Sequence, residues 1–196
     1  MRKVRLEEVK PLAEYERARE AARSRIIALK QRRRVQVGDR ISLLFENRDT
    51  VLFQIQEMIR AERILALDKV QEEVEVYNTL IPGAGEVSAT LFIEIEEQAR
   101  VKEELDRLMG IDEPGRVAFR LGEAGVAPGV FEAGHSKEDK ISAVHFVRFR
   151  FAPPQVAALR DPATEVRLVV DHPNYRAEAK VEAALREELL ADLADA

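Results

Sequence analysis

Apolar residues recur with two different periods along the chain, and these periods predict where helices and strands lie. Spacings of three and four residues predict helices over 11–34, from Asp49 or Thr50 to Leu65, and over 68–78, 97–109 and 182–193. Alternation predicts strands over 40–46, 86–96, 116–121, 126–132 and 141–151. In 86–96 it leaves one face polar, which favours an antiparallel sheet over a parallel sheet buried on both faces.

The two segments before the last helix predict a β-hairpin with its turn at 171–174. This turn places three apolar pairs on one face: Val166 with Ala179, Leu168 with Ala177, and Val170 with Tyr175. It places two pairs of opposite charge on the other face: Arg167 with Glu178, and Glu165 with Lys180. A slip of one residue would scramble both faces, so we expect this register.

Together these elements predict one α+β domain in the chain of 196 residues. We expect helices packed on one side of a mixed or antiparallel sheet, with a C-terminal β-hairpin and a terminal helix. The domain, 1–196, divides into a basic N-terminal helical segment, 1–38, and an α+β body, 39–196.

Charge is distributed unevenly between these two parts. Residues 1–40 contain 13 Lys and Arg against 6 Asp and Glu, whereas residues 41–196 contain 18 against 30. A basic start on an acidic body is typical either of an arm that binds nucleic acid or of a helix that docks on an acidic surface. The apolar stripe of the 11–34 helix favours docking, on this chain or on a second subunit. No aromatic side chain is interleaved with Arg32–Arg34, which makes nucleic-acid binding the weaker interpretation.

The composition excludes several classes of protein. The chain has no Cys, so disulfides, thiolate metal sites, iron–sulfur ligation and Cys catalysis are ruled out. No stretch approaches the roughly 20 apolar residues of a membrane span. Met1–Lys3 is not followed by an apolar segment, so we expect a cytoplasmic protein. The sequence contains no phosphate-binding loop, dinucleotide fingerprint, zinc-protease motif or nucleophile elbow.

A metal site in this chain would depend on carboxylates, because the sequence has only 3 His. Carboxylate ligands suit iron or manganese better than zinc. One set could converge if its strands are neighbours: Glu46, Glu57, Glu94 and His145. The alternative is that His145 is a hydrogen-bonded core histidine and that Glu94 belongs to a solvated strand face.

The segment from Phe45 to Glu62 carries a dense polar set between apolar anchors. Its candidate ligand or partner residues are Glu46, Asn47, Arg48, Asp49, Gln54, Glu57 and Arg60. One interpretation is a site at a strand-to-helix junction, where helix N-terminal amides could bind an anion. The other is a structural network in which Arg48 bridges Glu46 or Glu57 and holds the helix on the sheet.

Several motifs along the chain match one known family. They are 33–38 (RRVQVG), 44–51 (LFENRDTV), 54–58 (QIQEM), 60–64 (RAERI), 77–78 (YN), 80–83 (LIPG), 89–95 (ATLFIEI) and 171–175 (DHPNY). Together they resemble the domain-of-unknown-function 3501 family of bacterial proteins. The resemblance implies no established activity and no transferable catalytic residues. It implies a redox or oxidative-stress setting, since family members tend to be encoded beside rubrerythrin-like and iron–sulfur proteins.

These observations support three functions, and whether the protein is an enzyme stays open. The first is an accessory or binding protein of a bacterial redox or peroxide-defence system. The second is a carboxylate-based metal-dependent enzyme or ligand-binding protein that uses the 46–60 region. The third is a nucleic-acid-associated protein that uses Arg32–Arg34. A homodimer is also expected, because one thin sheet cannot cover the apolar faces of 51–65 and 70–77.

Overall fold

The structure, a computed structural model, describes residues 1–134, 136–137 and 140–195. The helices of this part of the chain are α1 (Leu12–Arg33), α2 (Arg48–Glu62), α3 (Leu67–Asn78), α4 (Val101–Arg107), α5 (Pro153–Arg160) and α6 (Ala183–Ala194). Its strands are β1 (Arg34–Val37), β2 (Ile41–Glu46), β3 (Glu86–Ile93), β4 (Val117–Leu121), β5 (Val126–Phe131), β6 (Ser136–Lys137), β7 (Lys140–Ile141), β8 (Val144–Arg150), β9 (Val166–His172) and β10 (Tyr175–Lys180).

Eight of the described strands form one antiparallel sheet in the order β1-β2-β3-β8-β5-β4-β9-β10. The sheet curls into a near-barrel, because its first and last strands approach each other. The Tyr175 hydroxyl donates to the Val37 carbonyl at 2.6 Å and accepts from the Arg40 amide at 3.2 Å. A Cβ at Gly38 would lie 2.1 Å from the Tyr175 hydroxyl oxygen, so only glycine fits beside this contact. The predicted α+β fold is confirmed.

The main core fills the inside of the near-barrel. The rings of Phe45, Phe119 and Phe149 pack there, with centroids 4.8–6.3 Å apart. Helices α5 and α6 contribute Leu159, Leu185 and Leu189 to this core. Leu108 and Ile111, which follow α4, also belong to it.

A second core lies outside the sheet, under α2 and α3. Its buried residues are Val4, Val51, Ile55, Ile59, Val70, Val74, Leu80 and Ile81. We call β1, β2, β3 and β8 the covered half of the sheet, and β5, β4, β9 and β10 the bare half. Except for the exposed Leu65, the apolar faces of 51–65 and 70–77 are therefore mostly covered within the chain, contrary to our expectation. Packing of α2 and α3 on one side of an antiparallel sheet agrees with the prediction.

Several predicted boundaries need correction. Residues 34–37 form a strand, and 153–160 form a helix that the sequence pattern did not predict. The long strand predicted over 141–151 begins at 144. The N-cap of α2 is Asn47, not Asp49 or Thr50: the Asn47 side chain accepts from the Thr50 amide at 3.0 Å. Both faces of β2 and β3 are largely buried, because the second core covers their outer side.

The C-terminal hairpin is present, but its register differs from the predicted one by two residues. His172 pairs with Tyr175, so the loop contains only Pro173 and Asn174. The His172 ring accepts from the Asn174 amide at 3.2 Å and contacts the Met109 carbonyl at 2.8 Å, which holds the shorter turn in place. Because the register is shifted by two residues, every side chain stays on its predicted face of the hairpin. Arg167 and Glu178 are therefore diagonal neighbours and still form an ion pair at 2.8 Å. The other predicted pairs are wrong, because Ala177 lies opposite Val170, Ala179 opposite Leu168 and Lys180 opposite Arg167.

The basic segment docks on the acidic body of its own chain. Arg33 is fully buried at the end of α1 and ion-pairs with Asp192 and Glu188 of α6. Its guanidinium also donates to the carbonyl oxygens of Phe45 and Glu46, at 2.9 and 3.2 Å. Arg33 is therefore a structural residue and is not available to a polyanion.

Candidate functional site

A cleft opens on the outer surface of the sheet where the covered half meets the bare half. Its volume is about 260 Å³. We call it the Glu46 cleft, and its main lining residues are Glu46, Leu80, Ser88, Val130, Phe146 and Arg148. These residues come from β2, the segment after α3, β3, β5 and β8, so the cleft depends on the sheet order rather than on one sequence motif.

The register of four strands lines up the floor of the cleft. Glu46 pairs with Ser88, Ser88 with Arg148, and Arg148 with Val130. Side chains at paired positions point to the same face of a sheet, so these four form one row across β2, β3, β8 and β5. Strands are spaced by about 4.8 Å, which separates the backbones of Glu46 and Arg148 by about 10 Å.

Glu46 is a buried carboxylate held by three neutral donors. Its Oε2 accepts from the Thr50 hydroxyl at 2.5 Å and the Gln54 amide at 2.9 Å. Its Oε1 accepts from the Thr90 hydroxyl at 2.6 Å. The side chains of α2 and β3 thus fix both oxygens, and the residue is only 2% exposed. Among the described residues, no Lys or Arg side chain forms an ion pair with this carboxylate.

Arg148, at the rim of the cleft, already has an ion-pair partner. Its guanidinium donates to Glu86 at 2.7 Å and to the Thr79 carbonyl. Burial disfavours the charged form of Glu86, yet the Gly83 amide and the guanidinium groups of Arg148 and Arg150 hold its pKa below the ordinary value. Arg148 is thus one half of an ion pair rather than a free anion-binding group.

Three other candidate residues of the 46–60 region lie away from the cleft: Glu57 and Arg60 face α1, and Asp49 faces solvent. Glu57 accepts from the Tyr15 hydroxyl at 2.7 Å and from Arg19 at 2.8 Å, on the side of α2 that faces α1. These donors outweigh the effect of burial and lower the pKa of Glu57, with hydrogen bonding from Arg19 as the largest cause. Arg60 pairs with Glu16 at 2.9 Å on the same side. Asp49 is exposed.

Arg48 has a different partner from the one predicted. Its guanidinium pairs with Glu8, in the segment before α1, rather than with Glu46 or Glu57. Because the N-terminal residues fold back beside the start of α2, a carboxylate distant in sequence becomes the neighbour. The backbone amide of Arg5 and the side chain of Arg48 hold the pKa of Glu8 at about 2, despite some burial.

The four predicted metal ligands are not brought together. Glu46 and Glu57 lie in the separate hydrogen-bond networks described above, and Glu94 accepts from Ser42 at 2.6 Å and Arg34 at 3.2 Å. His145 is buried, and its Nε2 contacts the Ser142 carbonyl at 2.8 Å, as in a core histidine. Within residues 1–134, 136–137 and 140–195, no three His, Asp or Glu side chains are grouped as metal ligands would be. Iron or manganese binding stays an untested prediction.

The sequence pattern identified Glu46 and Gln54 of this network and missed the rest. Ser88 and Thr90 belong to the polar face predicted for 86–96. Val130 and Arg148 lie in the strands predicted over 126–132 and 141–151, and no role was predicted for them. A signal was present: Ser and Thr alternate with apolar residues in 87–91 without any charge, as on a face that is polar but covered.

The fold and the cleft define a class of protein: an antiparallel near-barrel with external helices and a small cleft at their border. The chain belongs to the family described as protein of unknown function (DUF3501), whose profile matches residues 3–193. The resemblance seen in the sequence is confirmed.

Comparison with solved structures finds the same fold in a crystal structure described as a novel protein of unknown function from Burkholderia pseudomallei K96243. The TM-score is 0.90 at 31% sequence identity, over 98% of this chain and 100% of that chain. No curated protein matches the chain. None of the described helices is long and apolar enough to cross a membrane.

Proposed function

We propose that this protein is a binding protein whose ligand site is the Glu46 cleft. One observation carries the proposal: a cavity of about 260 Å³ has apolar side chains on its walls and a buried carboxylate at its floor. Ligand sites typically combine apolar walls with a few placed polar groups. The cavity is smaller than the about 300–1,000 Å³ of most drug-sized sites, so we expect a small ligand.

Blocking the cleft tests the proposal. Val130 is 65% exposed on the rim of the cleft, so Val130→Trp should narrow the cleft without disturbing the core. Val126→Trp is the matched control, because Val126 is 55% exposed on the same face of β5 and does not line the cleft. The probes are 2-phenylethanol, phenethylamine and 3-phenylpropionate, measured by isothermal titration calorimetry.

We expect at least one probe to bind the wild type and Val126→Trp equally, and Val130→Trp at least tenfold more weakly. Absence of binding by all three probes at millimolar concentration would contradict the proposal. Equal weakening in both variants would also contradict it, because the binding would then lie elsewhere on the sheet.

The setting that we propose is a bacterial cytoplasmic redox or peroxide-defence system, with rubrerythrin-like or iron–sulfur proteins as partners. Its support is the association that the family resemblance implies. Deleting the gene should increase sensitivity to hydrogen peroxide, and the wild-type gene should restore resistance. Unchanged growth under peroxide, together with no binding to a purified rubrerythrin-like protein from the same organism, would reject this setting while leaving the cleft proposal intact.

A further inference from the structure

The described lining of the Glu46 cleft carries two carboxylates, Glu46 and Glu132, against one guanidinium, Arg148. Arg148, at the rim, is paired with Glu86, whereas Glu46 has only the neutral donors Thr50, Gln54 and Thr90. The Arg33 guanidinium reaches the Glu46 carbonyl, but its ion-pair partners are carboxylates of α6. Removing a carboxylate from water without a countercharge is costly, and three hydrogen bonds offset only part of that cost.

The two oxygens of Glu46 differ in their remaining capacity. A carboxylate offers about four acceptor positions, two on each oxygen. Oε2 already accepts two hydrogen bonds, from Thr50 and Gln54, whereas Oε1 accepts one, from Thr90. Oε1 therefore has room for one more donor, whereas Oε2 has none.

This capacity distinguishes between the two common organic cations. A guanidinium binds a carboxylate best through two parallel bonds, one to each oxygen, and Oε2 has no position left for the second. An ammonium is compact and can direct one of its three donors at Oε1. The Ser88 hydroxyl donates to the Leu80 carbonyl and keeps lone pairs that can accept a second ammonium hydrogen.

We infer that the Glu46 cleft binds a small primary amine with an apolar body. The ammonium lies on Oε1 of Glu46, and the apolar body packs on Leu80, Val130 and Phe146. An anionic ligand is disfavoured, because the one Arg on the rim is occupied by Glu86. This inference rests on the proposed function and adds the chemical class of the ligand to it.

Three probes that share a phenylethyl body and differ in the head group test the class: phenethylamine, 2-phenylethanol and 3-phenylpropionate, titrated into the full chain at pH 7. We expect phenethylamine to bind at least tenfold more tightly than the alcohol, and the carboxylate to bind most weakly. Glu46→Gln keeps the size of the side chain and removes its charge, so it should abolish the preference for the amine. Glu94→Gln is the matched control: Glu94 also accepts from a hydroxyl, has its own Arg partner and does not line the cleft. It should keep the preference.

The outcomes separate this inference from the proposed function. If the alcohol or the carboxylate binds as tightly as the amine, and Val130→Trp blocks that binding, the amine class is wrong and the cleft remains a ligand site. If no probe binds, or if Val130→Trp has no effect, both fail. Should Glu46→Gln not fold, the comparison of the three probes on the wild type decides the class alone. A preference for the amine that persists in folded Glu46→Gln would overturn the assignment to Glu46.

Discussion

The covered and bare halves of the sheet treat polar outer-face residues in opposite ways. On the covered half, Ser88, Thr90 and Glu46 are buried under α2 and α3 and bond to side chains or carbonyls of this chain. On the bare half, Arg167 and Glu178 pair with each other in contact with solvent. Both halves show the same alternation in sequence. The two halves therefore differ in their hydrogen-bond partners. A polar side chain buried under a helix needs a partner within the protein, whereas a solvent-exposed one can bond to water.

The largest expected effect comes from breaking the buried ion pair that links α1 to α6. Arg33→Ala leaves Asp192 buried without its cation, which should cost roughly 3–5 kcal/mol of unfolding free energy. Arg167→Ala on the bare half is the control, with an expected loss of about 0–1 kcal/mol. Urea unfolding measures both. Equal losses in the two variants would show that the buried ion pair contributes no more to stability than the pair on the bare half.

The second prediction concerns pH and the carboxylate of the same ion pair. Burial raises the pKa of Asp192 from 3.8 to about 6, although attraction to Arg33 opposes the rise. The folded protein therefore holds this proton more tightly than the unfolded chain. The contribution to stability is fully present below about pH 4 and is lost as the pH rises through about 6.

Asp192→Asn should remove this dependence. Between pH 4 and 6, the stability of the wild type should fall relative to the variant by about 1–3 kcal/mol. Urea unfolding at pH 4, 5, 6 and 7 measures the difference. A difference that is the same at every pH would show that Asp192 keeps its ordinary pKa.

The third prediction concerns the donors of Glu46. Thr90→Val removes the hydrogen bond to Oε1 and leaves a buried carboxylate less satisfied, at a cost of about 1–3 kcal/mol. Glu178→Gln, which removes a charge that pairs with Arg120 and Arg167 on the bare half, should cost about 0–1 kcal/mol. Thermal unfolding of the two variants provides the test, and a smaller loss for Thr90→Val would place Glu46 in contact with water.

The smallest effect on folding is expected at the connection between α2 and α3. Leu65 and Leu67 are 77% and 72% exposed, so replacing both by Ser should change stability by no more than about 0.5 kcal/mol. We propose that the homodimer expected from the sequence forms through this exposed apolar tip, so the double variant should be a monomer. Light scattering at micromolar concentration decides: a wild-type mass that stays at 22.2 kDa would reject the dimer.

The sequence predicted elements where the apolar period is regular and long. α2, α3, β3 and α6 were predicted with small boundary errors. β1, with four residues, and α5, with eight, are too short to show a period. Closure of the near-barrel could not be predicted, because it depends on Val37 and Tyr175, which are far apart in the chain.

The candidate site was predictable only where its residues are close in sequence. Glu46 and Gln54 are eight residues apart, one on a strand and one on the next helix, and were recognised together. Ser88, Arg148 and Val130 join them through strand order and register, which alternation alone does not specify. Arg48 was assigned to the wrong carboxylate because its partner lies in the folded-back N-terminal segment.

Binding of a small amine in the Glu46 cleft can be tested by mapping the backbone amides with NMR during titration with phenethylamine. We predict shifts concentrated at Ser88, Val130, Phe131, Phe146 and Val147, with saturation, and their loss in Val130→Trp but not in Val126→Trp. Shifts spread over the bare half, or no saturable shift at these residues, would contradict the claim.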